Sequence, residues 1–255
     1  MSAQLNKVLL SNRNLLFKDG RSVSFEQKLR LKSQGFRSRK ITLCASGVEE
    51  LVQGEALQEA IRIHPVPKDV QYSFARSPRF KQNLEDAIND QINIEYNISY
   101  IYHSMYAFFS RDNVALDGFA QFFKKESLEE RSHAELLMDY QTKRGGKVSL
   151  QAIMPPQLEF EHAQKSCGLY ALELALSLEK LNYDKLLYLH EVADECGDAA
   201  ACDFIEGELL ESQVDSVKES AALVATLVRM GADGPYGGLA TWHFDKKLQN
   251  QGQAN

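Results

Sequence analysis

Glu130 and His133 form a Glu-x-x-His pair within E-S-L-E-E-R-S-H-A-E, residues 126–135. Positions three apart on a helix share a face, so carboxylate and imidazole point the same way, as a metal-binding pair must. Such a pair arises by chance in an acidic chain, and the face on which it sits gives it weight. Every third and fourth residue through it reads Phe119, Phe123, Glu126, Glu130, His133, Leu137, Tyr140. That is the stripe of a packed helix with a carboxylate and an imidazole at its middle. An ionised carboxylate in a core costs several kcal/mol unless it is paired or bound to a metal. The rest of the chain must therefore supply cations or further ligands at the same height.

Three more helical stripes meet that demand. The first helix reads Leu84, Ile88, Gln91, Glu95, Ile98, Tyr102, Met105, Phe109, and the third reads Leu172, Leu176, Glu179, Tyr183, Leu186, His190, Ala193. The fourth reads Cys202, Glu206, Leu209, Gln213, Ser216, Ser220, Leu223, Leu227. Each has its polar interruption near mid-length: Glu95, Glu130 with His133, Glu179, and Gln213. In an antiparallel bundle these positions reach one height, with Tyr102 two turns from Glu95. Carboxylates so close resist joint ionisation unless a cation lies between them. Oxygen ligands with one imidazole suit iron or manganese better than a thiolate-seeking metal. Di-metal carboxylate bundles use a Glu from each of two helices and a Glu-x-x-His from each of the others. Here helix four offers Gln213 and Ser216 at the matching positions. One metal is therefore expected to be held well and a second loosely, which suits turnover and delivery.

The elements that must position these residues follow from caps and loop lengths. Asp117 is the expected N-cap of helix two, Gly145-Gly146 its stop, and Asp198 the cap of helix four after Gly197. The connections between helices one and two and between three and four are short, so those pairs are antiparallel neighbours. The connection from Gly145 to Gly168 is long and contains Pro155-Pro156. A helix of roughly 28 residues spans about 42 Å, which about 24 residues of extended chain can cover. Helices two and three are then parallel, joined by a crossover. The fold expected is all-α: a four-helix bundle with a long crossover between helices two and three, plus a short fifth helix at roughly 239–249.

Composition sets the outer bounds. The chain has 255 residues, and its four cysteines (Cys44, Cys167, Cys196, Cys202) form no C-x-x-C pair. That speaks against a zinc ribbon or a disulfide framework. No run approaches the ~20 apolar residues of a membrane span. Residues 1–45 carry ten Lys or Arg, two acids and six serines, the composition of an organelle transit peptide, with removal expected near Cys44 to Ser46. Subtraction leaves 29 − 10 = 19 basic and 35 − 2 = 33 acidic residues, a body at −14. Such a body repels nucleic acid and anionic membranes and attracts cations. Residues 46–79 form an appended arm. Val48 to Ile63 has an amphipathic pattern, which His64-Pro65-Val66-Pro67 then stops.

Over residues 80–250 the sequence resembles the ferritins. The resemblance is carried by Gln91 to Tyr102 (Q-I-N-I-E-Y-N-I-S-Y-I-Y), Arg111 to Ala115 (R-D-N-V-A), Glu129 to Glu135 (E-E-R-S-H-A-E), Lys143 to Gly146 (K-R-G-G), Leu174 to Lys180 (L-A-L-S-L-E-K) and Asp203 to Glu206 (D-F-I-E). The transit-like segment and the arm resemble those of the plastid ferritins of plants and algae. What this implies is a ferritin-like di-iron domain of the ferroxidase type, built into a hollow cage of twenty-four subunits, either uniform or mixed with a sister subunit. Such a cage oxidises Fe(II) with O2 and stores the ferric mineral inside.

The resemblance assigns Glu95, Glu130, His133 and Glu179 as iron ligands, with Glu130 bridging and with Tyr102 and Gln213 beside them. It matches Asp203 and Glu206 to acids of the iron entry channels. Glu129 and Glu135 would face the cavity as nucleation points, although Ser132 departs from the further Glu that many such chains carry there. It also implies a plastid location, with the mitochondrion as alternative. Three competing readings fit less well. A storage shell with no catalytic centre would lack these ligands, and a resident di-iron oxidase would want a second Glu-x-x-His. A DNA-protecting mini-ferritin would be shorter and, unlike this chain once processed, would keep a basic tail to hold DNA.

Overall fold

The structure is a computed structural model that describes residues 73–234 and 237–252, and every regular element among them is helical. The transit-like segment 1–45 and the amphipathic stretch 48–63 with its proline stop lie outside the described residues. We number the helices α1 (Gln82–Phe109), α2 (Asp117–Lys143) and α3 (Cys167–Glu195). The fourth leg comes in pieces: α4 (Ala199–Ile205), a π-helical turn (Glu206–Leu210) and α5 (Glu211–Arg229). Helix α6 (Gly237–Gly252) closes the fold. None of the described helices is long and apolar enough to cross a membrane.

Side-chain pairs fix the directions. Gln141 bonds the Glu85 carbonyl and Ser99 bonds the Ser127 carbonyl, so α1 and α2 run antiparallel. Gln91 meets Asn182 while Tyr102 meets Glu179, which sets α3 antiparallel to α1 and hence parallel to α2. The long connection is the expected crossover, and α1 supplies its track. Asn89 bonds Lys147 and Ser149, Asn93 bonds Ala152, Asn97 bonds Met154, and Ser104 bonds Gln157. The two number series rise together, so the segment runs alongside α1. Amide and hydroxyl side chains on that face satisfy backbone groups that have no ladder of their own.

Helix α2 ends as its sequence requires. Gly145 has φ +78°, and its N–H and that of Gly146 close onto the Thr142 and Gln141 carbonyls. Its start differs from expectation. Leu116 occupies the N-cap position, and Asp117 is the first helical residue, without a capping bond. The cap comes from the far end of the chain. Asp245 on α6 is fully buried, and its Oδ1 accepts from the Gly118 and Phe119 N–H groups at 2.6 and 3.1 Å. A Cβ on Gly118 would lie 2.1 Å from the Asp245 carbonyl oxygen, so only glycine lets α6 dock this closely. Asp245→Ala is expected to lose about 2 kcal/mol, the worth of charged hydrogen bonds to orphan helix donors. Thermal unfolding of the variant would check this.

The α3 stripe is also shifted from expectation. The core takes Leu172, Ala175, Glu179, Asn182, Leu186, Leu189 and Ala193. Leu176, Tyr183 and His190 are half-buried. The alternation begins with a three, not a four. On the fourth leg, Cys202 is half-buried and Glu206 exposed, and their core places go to Ala201 and Ile205. The buried positions 201, 205, 209 and 213 are spaced by four throughout, more than the 3.6 of an α-helix. The π turn absorbs the excess, with the Glu211 N–H bonded to the Glu206 carbonyl five residues back.

The apolar core is in two clusters. One gathers Ile98, Tyr102, Met105, Phe109, Phe119, Phe123 and Leu178. The other gathers Leu84, Ile88, Ile92, Ala134, Leu137, Leu186 and Leu189. Between them lies a buried polar layer: Gln91, Glu95, Glu130, Glu179, Asn182 and Gln213.

Candidate metal centre

The polar layer draws one side chain or more from each long leg of the bundle. Mid-helix positions of legs with similar length and opposite direction meet at one height. Glu95, Glu130 and His133 come together, each offering one ligand atom within 4.8 Å of the others. His133 Nδ1 lies 3.3 Å from Glu130 Oε2. Glu95 is wholly buried and Glu130 is 4% exposed. Two carboxyls and one imidazole in a dry setting, with no lysine or arginine among them, form a donor set for a hard or borderline cation.

Glu179 faces the same layer from α3. Its Oε1 accepts the Tyr102 hydroxyl, and its Oε2 accepts from Gln213 Nε2 at 2.5 Å. Gln213 also donates to the Glu179 carbonyl at 3.2 Å. The residues singled out by their stripes, namely Glu95, Tyr102, Glu130, His133, Glu179 and Gln213, thus share one layer. Glu126, one turn before Glu130, sits at its edge, 3.5 Å from the Lys125 ammonium.

Burial, then the charge of Glu130 and the hydrogen bond shared with it, raise Glu95 well above the ordinary carboxyl range. Burial pushes Glu130 up to about 8; the bond to Glu95 opposes this, and the charges of Glu179, Glu126 and Glu129 add to it. Burial is thus the main force holding both carboxyls toward the acid form. Burial also raises Glu179, against the bonds from Tyr102 and Gln213. Burial takes Glu126 to about 7, with Lys125 opposing and Glu129, Glu179 and Glu219 reinforcing. Four neighbouring acids raised by burial and by one another favour a cation bound among them.

The other candidate residues lie apart from this layer. Asp203 and Glu206 are exposed on α4 and the π turn. Glu206 Oε1 is 2.6 Å from Nε2 of His190, which is half-buried and not a core histidine. Glu129 is half-buried beside Lys125, and Glu135 is exposed and paired with Arg131 at 3.1 Å.

A ferritin family model, described as a ferritin-like domain, matches residues 85–230. The chain belongs to the ferritin family. It is 52% identical over 187 residues to Ferritin-2, chloroplastic, of Vigna unguiculata, covering 73% of this chain and 72% of that one. It is 51% identical over 213 residues to the chloroplastic ferritin of Malus baccata var. xiaojinensis, covering 83% of each. Among solved structures it resembles the ferritin of the multicellular green alga Ulva pertusa. That match has a TM-score of 0.70 and 49% identity, and covers 77% of this chain and 98% of the algal one.

Sequence reasoning missed one member of the buried polar layer. Asn182 is fully buried and bonds Gln91, Glu95 and Gln213. The stripe taken for α3 put Tyr183 in its place. The signal was present in Ala175, Leu178 and Leu189, an equally apolar set in the other phase.

Proposed function

We propose that this chain stores iron as a ferroxidase, oxidising Fe(II) with O2 and holding the ferric product inside a cage of twenty-four copies. The observation that carries this is the convergence of Glu95, Glu130 and His133 within one buried layer of a ferritin-family bundle. In this reading Glu95, Glu130 and His133 hold one Fe(II). Glu130 reaches toward a second position flanked by Glu179 and Gln213, and Tyr102 fixes Glu179. The electrons come from the iron substrate; the protein supplies geometry, anionic ligands that favour the higher charge, and exclusion of water. Asp203 and Glu206 serve iron entry, and Glu129 and Glu135 serve nucleation.

We assign residues 1–45 as a transit peptide, 46–79 as an extension arm and 80–250 as the ferritin-like domain. The names of the chloroplastic relatives favour the plastid over the mitochondrion. At the junction of arm and bundle, the Arg76 and Arg144 guanidinium groups lie 5.3 and 5.1 Å from the Phe80 ring centroid, and Arg76 pairs with Glu85.

The test is aerobic Fe(II) oxidation by the full chain, followed by ferric absorbance alongside particle size. Oxidation well above the buffer rate, with ferric iron travelling with a large particle, is the expected result. A rate equal to that of buffer alone would reduce the chain to a shell whose iron is oxidised elsewhere.

A further inference from the structure

The polar layer holds three carboxamides that are neither acids nor apolar filler. Gln91 Nε2 donates to Glu95 Oε1 at 2.6 Å and to Asn182 Oδ1 at 2.7 Å. Asn182 Nδ2 donates to Glu95 Oε2 and to Gln213 Oε1, each at 3.1 Å. Gln213 Nε2 in turn donates to the Glu179 carboxylate and carbonyl. Each NH2 group thus spends both hydrogens, and the chain of donors runs one way, from α1 through α3 to α5. Turning the Asn182 amide over would set NH2 against NH2 at Gln91 and oxygen against carboxylate at Glu95. Its orientation is therefore fixed by its neighbours.

We infer that Asn182 is a positioning residue of the metal centre, holding the Glu95 carboxylate and the Gln213 oxygen in fixed orientations through one continuous chain of carboxamides. The inference rests on the centre proposed above. Glu95 receives one donor on each oxygen, from Gln91 and from Asn182, which pins the plane of the carboxylate. Each oxygen keeps a lone pair for a cation. Gln213 has its oxygen turned to Asn182 and its NH2 to Glu179, so its oxygen is partly spent before any metal arrives. Asn182 thereby strengthens the position held by Glu95, Glu130 and His133 and keeps the Gln213 side weak. Partners that orient ligands in this way are typically worth about 10–100-fold in metal affinity.

The experiment is an equilibrium titration of the assembled full chain with Co2+, which does not need O2 and whose visible absorption reports coordination geometry. Asn182→Val keeps much of the volume but deletes all three of the Asn182 bonds. It is expected to weaken the tight Co2+ site about tenfold and to change its spectrum. Leu189→Ala, seven residues on and in the apolar cluster, opens a cavity on the same face without touching the chain of amides. It is expected to leave both readouts unchanged. If Asn182→Val fails to assemble, Asn182→Ser, whose hydroxyl is too short to span Glu95 and Gln213, is read the same way. Unchanged affinity at position 182, or an equal loss in Leu189→Ala, overturns the role of Asn182. A parent protein with no Co2+ site sensitive to Glu130→Ala overturns the metal centre itself, and the role of Asn182 with it.

Discussion

A Glu130→Ala/His133→Ala variant oxidises Fe(II) at least about a hundredfold more slowly than the parent, while its particle remains intact. Loss of groups that merely orient metal ligands already costs about 10–100-fold, and here two of the three converging ligand atoms disappear. Glu95 would be left with no partner able to share a cation. The variant should nevertheless fold. Glu130 in the metal-free protein is an acid raised to about 8 chiefly by burial, so its removal relieves the cost of burying a polar group even as it opens a void. His133 is only half-buried. Stopped-flow ferric absorbance with sedimentation of the same sample separates the two effects. A variant that stays assembled and oxidises at the parent rate would show that the chemistry occurs elsewhere, on the growing mineral or in a channel. A variant that falls apart would call for single substitutions at each position.

Much of this centre could be read from the chain because it violates the pattern around it. Glu95 and Glu130 interrupt stripes of Leu, Ile and Phe, and burial of an acid among such residues has few causes. Helix directions followed from loop lengths, and the crossover runs beside α1 as its length allowed. The misses have physical reasons. Asn182 sits on a helix with two apolar faces, where Leu172 and Leu186 belong to both phases, so periodicity could not choose between Asn182 and Tyr183. Glu206 left the core because a π turn changes the residues per turn, and no residue type announces that turn. The cap of α2 came from Asp245, more than a hundred residues away. Local sequence offered Asp117 instead, and a distant helix outcompeted it once docked.

Cation uptake near neutral pH should release protons. Glu130 rises to about 8 and Glu95 is raised well above the ordinary carboxyl range, in both cases chiefly by burial, so the metal-free protein holds protons here that free carboxyls would have lost. A cation needs them as carboxylates and must displace those protons. Affinity should therefore climb with pH until Glu130 ionises unaided, then level off. The same shifts govern stability. Both acids have folded-state pKa values above the unfolded value of about 4.3, so the folded protein binds more protons than the unfolded chain between the two. For Glu130 the stabilising contribution is complete below the unfolded pKa and is lost as pH rises through about 8, and the raised Glu95 acts in the same direction. Metal-free protein should thus melt at lower temperature as pH goes from about 6 to about 9, and a saturating divalent cation should abolish most of that slope. Glu130→Gln tests the assignment, because the amide keeps the shape but cannot titrate. Its melting temperature should depend less on pH, and its cation uptake should release one proton fewer. A metal-free melting temperature that rises over that range would mean that these acids are already ionised, and that the layer finds its positive charge within the protein.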